Sequence, residues 1–281
     1  MSLAVMVPLA AGQFDLSVGY QVCLMHILAI GLQVRMGIHW VAVIFILLVI
    51  AALIGLINGL LVAYVGVSSF IATLGVGTIL FGLAFWYTDG AQLIGALPPG
   101  FLRLNSNIGP VPMTIIVTLV VAIVLFVITE HTPLGRFFYF LGANQKAAIL
   151  SGISPKKYLI FAFMFSSVVA SIAGVLLASI IRVGQISIGP DYLMSSFAGA
   201  LMGSVAFTPG KVNVWGTVCA VLIMAFTVSG LQQMGARFFV DPLFNGGMLI
   251  LAVSLAVITE RHKATKVDKE RKTHNKTDSQ V

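Results

Sequence analysis

Between Leu16 and Thr259 the sequence keeps returning to long apolar runs, and the longest, Ile38 to Val65, is 28 residues without an Asp, Glu, Lys or Arg. A hydrocarbon core roughly 30 Å thick takes about 20 helical residues to cross. Within it, a helix satisfies its own backbone hydrogen bonds, whereas irregular chain facing lipid cannot. The composition agrees: 59% of the residues are hydrophobic and 9% charged, against about a quarter charged in soluble domains. The chain is expected to be an all-α membrane protein.

In order, residues 1–11 are too short to span, lack a positive start and read as half a helix, not a signal peptide. A second helix is expected over Leu16–Gln33, with Asp15 or Ser17 as its cap. The third covers Ile38–Val65, and a tight turn, Gly66–Ser69, leads to a fourth over Ser69–Thr88. A polar loop from Asp89 to Val111, containing Pro98, Pro99 and Pro110, precedes a fifth helix over Pro112–Thr129. The sixth opens on Ser154-Pro155, a cap followed by a first-turn proline, and runs to Ile181. The seventh spans Tyr192–Phe207, the eighth Val214–Gln233, and the ninth runs from Asp241-Pro242 to Thr259. The fold expected is therefore about nine transmembrane segments, the first partial, in one domain over residues 1–259, followed by a disordered tail over 260–281.

Residues 131–157 interrupt this pattern. They carry Arg136, Lys146, Lys156 and Lys157 without one Asp or Glu, and Ala143 to Ile153 read as a short amphipathic helix. The net charge of +7 draws mainly on this segment and on the tail, which holds seven of the sixteen basic residues. Such charge reads as cytoplasmic loop and tail, with no nucleic-acid partner. The loop over 89–111 has only Arg103. Both basic segments, and hence the C-terminus, are expected to be cytoplasmic, since an even number of helices separates them. Helices one to four and six to nine then form two four-helix units of opposite orientation, a common plan for transporters. A weak echo between residues 12–16 (GQFDL) and 184–188 (GQISI) agrees with it.

Little here could carry covalent chemistry. His26 is the one histidine well inside a span, and no second titratable group accompanies it, so it reads as a packed or hydrogen-bonded residue. Cys23 and Cys219 read as buried small residues. Asp15, Asp89, Glu130, Asp191, Asp241 and Glu260 all fall at helix ends. No span offers the mid-membrane acid of an ion-coupled carrier, which points to transport driven from outside the bilayer. Small residues recur at helical contact spacing: Gly55 and Gly59; Ala170, Gly174 and Ala178; Gly199 and Gly203. Asn58 is a mid-span amide that could face a pathway or bond to a neighbouring helix.

Four ordered motifs then carry a family resemblance. They are Asp15-Leu16-Ser17-Val18-Gly19, residues 55–61 (GLINGLL), residues 70–75 (FIATLG), and Thr132, Gly135, Arg136 with Leu141-Gly142-Ala143-Asn144, Ala147-Ala148 and Ser151-Gly152-Ile153. Together they resemble the permease subunits of simple-sugar importers of the ATP-binding-cassette (ABC) class, the ribose and xylose type. Two departures stand out. Only half a helix precedes the Asp15 motif where that family has a full one and more, so the first membrane helix of the pattern is missing. Met202-Gly203-Ser204 stands where two glycines are usual.

The resemblance implies a permease in the inner membrane, in contact with lipid, paired with a second permease copy or paralogue. Its other partners would be two cytoplasmic ATPase subunits, which bind the ATP, and an external solute-binding protein. No cofactor is implied on this chain. Gly142, Ala143, Asn144, Ala147, Ala148, Ser151, Gly152 and Ile153 would belong to a coupling helix docked on the ATPase. Asp15, Ser17, Asn58, Phe70 and Thr73 are the candidates near the translocation path. A permease for branched-chain amino acids is the alternative within transport, and a membrane-embedded enzyme or scaffold the alternative outside it.

Overall fold

A computed structural model describes residues 1–206, 211–237 and 239–255. The expected tail and the expected ends of the seventh and ninth helices, Phe207 and Thr259, lie outside them. The described chain is helical throughout its apolar runs: α1 Ser2–Ala10, α2 Ser17–Val34, α3 Trp40–Leu60 and α4 Ser69–Thr88. There follow α5 Pro99–Leu102, α6 Met113–Phe126, α7 Pro133–Ala143, α8 Gln145–Leu150, α9 Pro155–Ile181, α10 Pro190–Ala206, α11 Val214–Gln233 and α12 Val240–Leu255. Turns of π-helix, Leu61–Val65 and Val127–His131, extend α3 and α6. The one sheet among the described residues is a two-residue hairpin, Asn107–Ile108 against Val111–Pro112.

Six of these helices are long and apolar enough to cross a membrane: Ser17–Val34, Trp40–Val65, Ser69–Thr88, Met113–His131, Pro155–Ile181 and Val214–Gln233. The other three segments expected as spans are the shorter α1, α10 and α12. Sequence boundaries agree to within two residues where Ser68-Ser69 or Ser154-Pro155 marks the start. They drift at the fifth helix, whose π-turn carries it to His131.

The 27-residue α9 is the post around which the bundle is packed, with α1, α2 and α3 lying along it. Glycine sets how closely. A Cβ built on Gly55 would lie 2.5 Å from the Met164 Cα, and one on Gly59 2.6 Å from the Ile160 Cα. Gly174 does the same for α2, with Met25 Cβ 2.8 Å away. Lipid offers no hydrophobic drive for helices to associate, so dispersion contacts at such close crossings must hold them. Gly203 and Gly216 bring α10 against α11; Met202-Gly203-Ser204 lies inside α10, not in a turn, and keeps the glycine this packing uses.

Short α1 is buried on every side: Ala4, Val5 and Met6 are fully enclosed by α9, α10 and α11. It ends at Gly12, whose φ of +72° favours glycine. Residues 11–16, which are not helical, join it to α2, so the helical run is broken here inside the protein. At the bundle end remote from α8, the loop after α4 is fastened by a bridge between Leu93 and Gly184, and α5 buries Phe101.

Candidate functional site

The break between α1 and α2 is where the polar groups of the interior gather. Asp15 is wholly enclosed. Ser17 donates to its Oδ1 from both the backbone N–H, at 3.1 Å, and the hydroxyl. Ser166 of α9 donates to Oδ2 at 2.8 Å, and Asn58 of α3 donates from Nδ2 to the Ser17 hydroxyl at 2.8 Å. On the far side, Phe14 N–H donates to Ser69 Oγ (3.1 Å) and Leu16 N–H to Thr73 Oγ1 (3.0 Å), which tie the break to α4. Two of the donors to Asp15, the Ser17 N–H and hydroxyl, belong to the first turn of α2, so the side chain meets a helix end whose N–H groups lack partners within the helix.

This placement corrects one expectation. Asp15 stands at a helix end, yet Ser166, its partner, lies near the middle of α9. Asp15 is fully buried beside it, so the chain does hold an acid in its interior.

Of the residues expected near a path, Asp15, Ser17, Asn58 and Thr73 come together, and all four are fully buried within the chain. They are therefore sealed from solvent in this conformation. Phe70 does not join them: it is 51% exposed on the outer side of α4. Sequence reasoning missed Ser166, and with it Gln21, whose Nε2 donates to the Ser167 carbonyl at 2.9 Å. The available signal was the Ser166-Ser167 pair inside an otherwise apolar run. His26 is packed as expected, its Nε2 2.9 Å from the Val183 carbonyl.

The basic segment differs from expectation in one respect. Instead of a single helix from Ala143 to Ile153 there are two, α7 and α8, parted at Asn144. Its backbone is extended (φ −161°) and its side chain accepts from Ala147 N–H, so Asn144 caps α8. Of the coupling candidates, Gly142 and Ala143 close α7, Asn144, Ala147 and Ala148 belong to the start and body of α8, and Ser151, Gly152 and Ile153 form the turn into α9. Ala148 faces inward. Leu150 is 88% exposed, and Ile149 is exposed beside it.

A third group joins the two ends of this region. Lys211, between α10 and α11, pairs with Glu130 at 3.1 Å and lies 3.8 Å from the centre of the Tyr139 ring on α7. The Tyr139 hydroxyl donates to Glu130 at 3.1 Å. Burial first and the Glu130 charge second push the Tyr139 phenol well above its ordinary range. Among the described residues no cluster of His, Cys, Asp and Glu could hold a metal ion.

Comparison with known proteins agrees with this architecture. A family described as the permease component of the branched-chain amino acid transport system matches residues 1–257. The chain is 31% identical to a ribose import permease protein of Haemophilus influenzae, over 90% of this chain and 78% of that one. It is 30% identical to a D-allose transport system permease protein of Escherichia coli, over 72% and 62%. An autoinducer 2 import system permease protein of Photorhabdus temperata is 26% identical, over 94% and 81%. No solved structure gives a significant match. With six spanning helices and a family match over nearly its whole length, the chain is a multi-pass membrane protein that belongs to this family of importer permeases, on the branch of the simple-sugar permeases of ABC importers.

Proposed function

We propose that this chain is the membrane subunit through which a sugar or sugar-like solute crosses the inner membrane, driven by ATP hydrolysis on separate ATPase subunits. The observation that carries this reading is the tip of α8. A leucine 88% exposed on a carboxylate-free basic segment has little to pack on among the described residues, and exposed apolar groups rimmed by polar ones mark protein contacts. The segment Gly142–Ile153 docks on the ATPase, and the residues about Asp15 stand beside the path and hold its walls. About nine membrane segments in two inverted units, a cytoplasmic C-terminus, a second permease copy and an external binding protein complete the reading. The ATP sits on the ATPase, and the chain carries no cofactor of its own.

The family description mentions branched-chain amino acids, whereas the relatives transport, by name, ribose, allose and autoinducer 2. These names favour a sugar. The test is uptake into proteoliposomes holding the chain, its ATPase and its binding protein. Labelled ribose or allose is expected to enter only with ATP and binding protein, and not to be displaced by leucine. Uptake competed by leucine and not by sugars would replace this reading with the amino-acid one.

A further inference from the structure

The coupling segment and the break between α1 and α2 meet backbone to backbone. A Cβ built on Gly142 would lie 2.4 Å from the Ala10 carbonyl oxygen and 3.1 Å from the Gly12 nitrogen. From the other side, a Cβ on Gly12 would lie 3.1 Å from the Gly142 Cα. No side chain stands between the two strands of backbone, so a displacement of α7 cannot be absorbed there by a change of rotamer. Close-packed interiors transmit strain for this reason.

What lies on each side of the contact gives it meaning. Two residues after Gly142, Asn144 starts α8, so the exposed tip and the contact are joined by one short, capped connection. Three residues after Gly12 comes Asp15, and from Phe14 to Ser17 the chain is bonded in turn to Ser69 and Thr73 of α4, Ser166 of α9 and Asn58 of α3. A shift of the break must move these helices or break those bonds. Tyr139, on the same α7 one turn before Gly142, is bonded to Glu130 at the end of α6 and stacked under Lys211, which holds α7 against the bundle close to the contact.

We infer that Gly12 and Gly142 are positioning residues through which displacement of the coupling helices is passed into the membrane helices, and that the Asp15 cluster divides it among α3, α4 and α9. The inference rests on the reading of the chain as an ATPase-coupled permease. A role in packing alone would leave the link between hydrolysis and uptake unchanged once the protein has folded.

The experiment uses the full chain with the ATPase that co-purifies with it and the solute-loaded binding protein, in proteoliposomes. For Gly12→Ala, on the membrane side of the contact and outside the docking segment, assembly by gel filtration and basal ATP hydrolysis are expected to stay at the level of the unsubstituted chain. Stimulation of hydrolysis by the binding protein, and uptake, are expected to fall about tenfold, the size of a typical coupling between sites. An assembled variant with undiminished stimulation and uptake would overturn the inference. Should the variant not assemble, hydrogen exchange in the unsubstituted complex decides. On ATP binding, peptides covering residues 9–17 and 133–150 are expected to change together. A change confined to 133–150 defeats the inference while leaving the permease reading intact. Absence of ATP-dependent uptake by the unsubstituted chain would instead overturn the permease reading.

Discussion

At the scale of single residues, Asp15 holds the most at stake. Replacing it by Ala leaves the hydroxyls of Ser17 and Ser166 without their acceptor inside the protein, and an orphaned buried donor costs about 1–3 kcal/mol. Asp15→Ala is therefore expected to lower the thermal midpoint of the detergent-solubilised chain by several degrees. Asp15→Asn, which keeps acceptor capacity on one atom, should lower it less. Equal midpoints for all three proteins would mean that the carboxylate bonds do not stabilise the fold. The sequence marked Asp15, Ser17, Asn58 and Thr73 because they are polar residues of the three motifs at 15–19, 55–61 and 70–75 that carry the family resemblance. It could not mark Ser166 as their partner: 151 positions separate it from Asp15, and a lone hydroxyl in a membrane helix can equally bond its own preceding turn, as Ser179 does to Leu176. Phe70 opens the same motif as Thr73, yet its ring is turned outward on α4 while the Thr73 hydroxyl is buried against the break.

At the scale of elements, the close crossing of α3 on α9 and the exposed end of α8 behave differently under substitution. Gly55→Val would drive a branched side chain into the α9 backbone, and overpacking of this kind costs about 1–3 kcal/mol. A lowered thermal midpoint with α3 still helical by circular dichroism is expected, and an unchanged midpoint would argue against a backbone contact there. Leu150→Asp should leave the midpoint of the isolated chain where it was, since the side chain is already in solvent. It should, however, weaken co-purification of the ATPase by about tenfold if the leucine anchors that contact. Retention of the ATPase at full yield would remove α8 from the docking surface. Element starts were legible because Ser68-Ser69 and Ser154-Pro155 are local signals. The division of α7 from α8 was not, because Asn144 fits a helix interior and a cap alike until the backbone before it is known to be extended.

At the scale of the whole molecule, each of the nine apolar runs contains a helix, and six of these are, within the described residues, long and apolar enough to cross a membrane. Orientation can be checked directly. Ile94 and Lys146 lie near opposite ends of α9, the first through the Leu93–Gly184 bridge and the second just before its start. Single cysteines at the two positions are expected to react with an impermeant thiol reagent from opposite faces of sealed vesicles, position 146 from the side where the ATPase binds. Reaction of both from one face would contradict the arrangement of the loops. The burial of α1 has a further bearing, on biogenesis. The helices that enclose it, α9 to α11, begin at Pro155 and are synthesised long after it. The ribosome thus releases α1 well before its seat exists, and assembly of this permease has to end by returning to it.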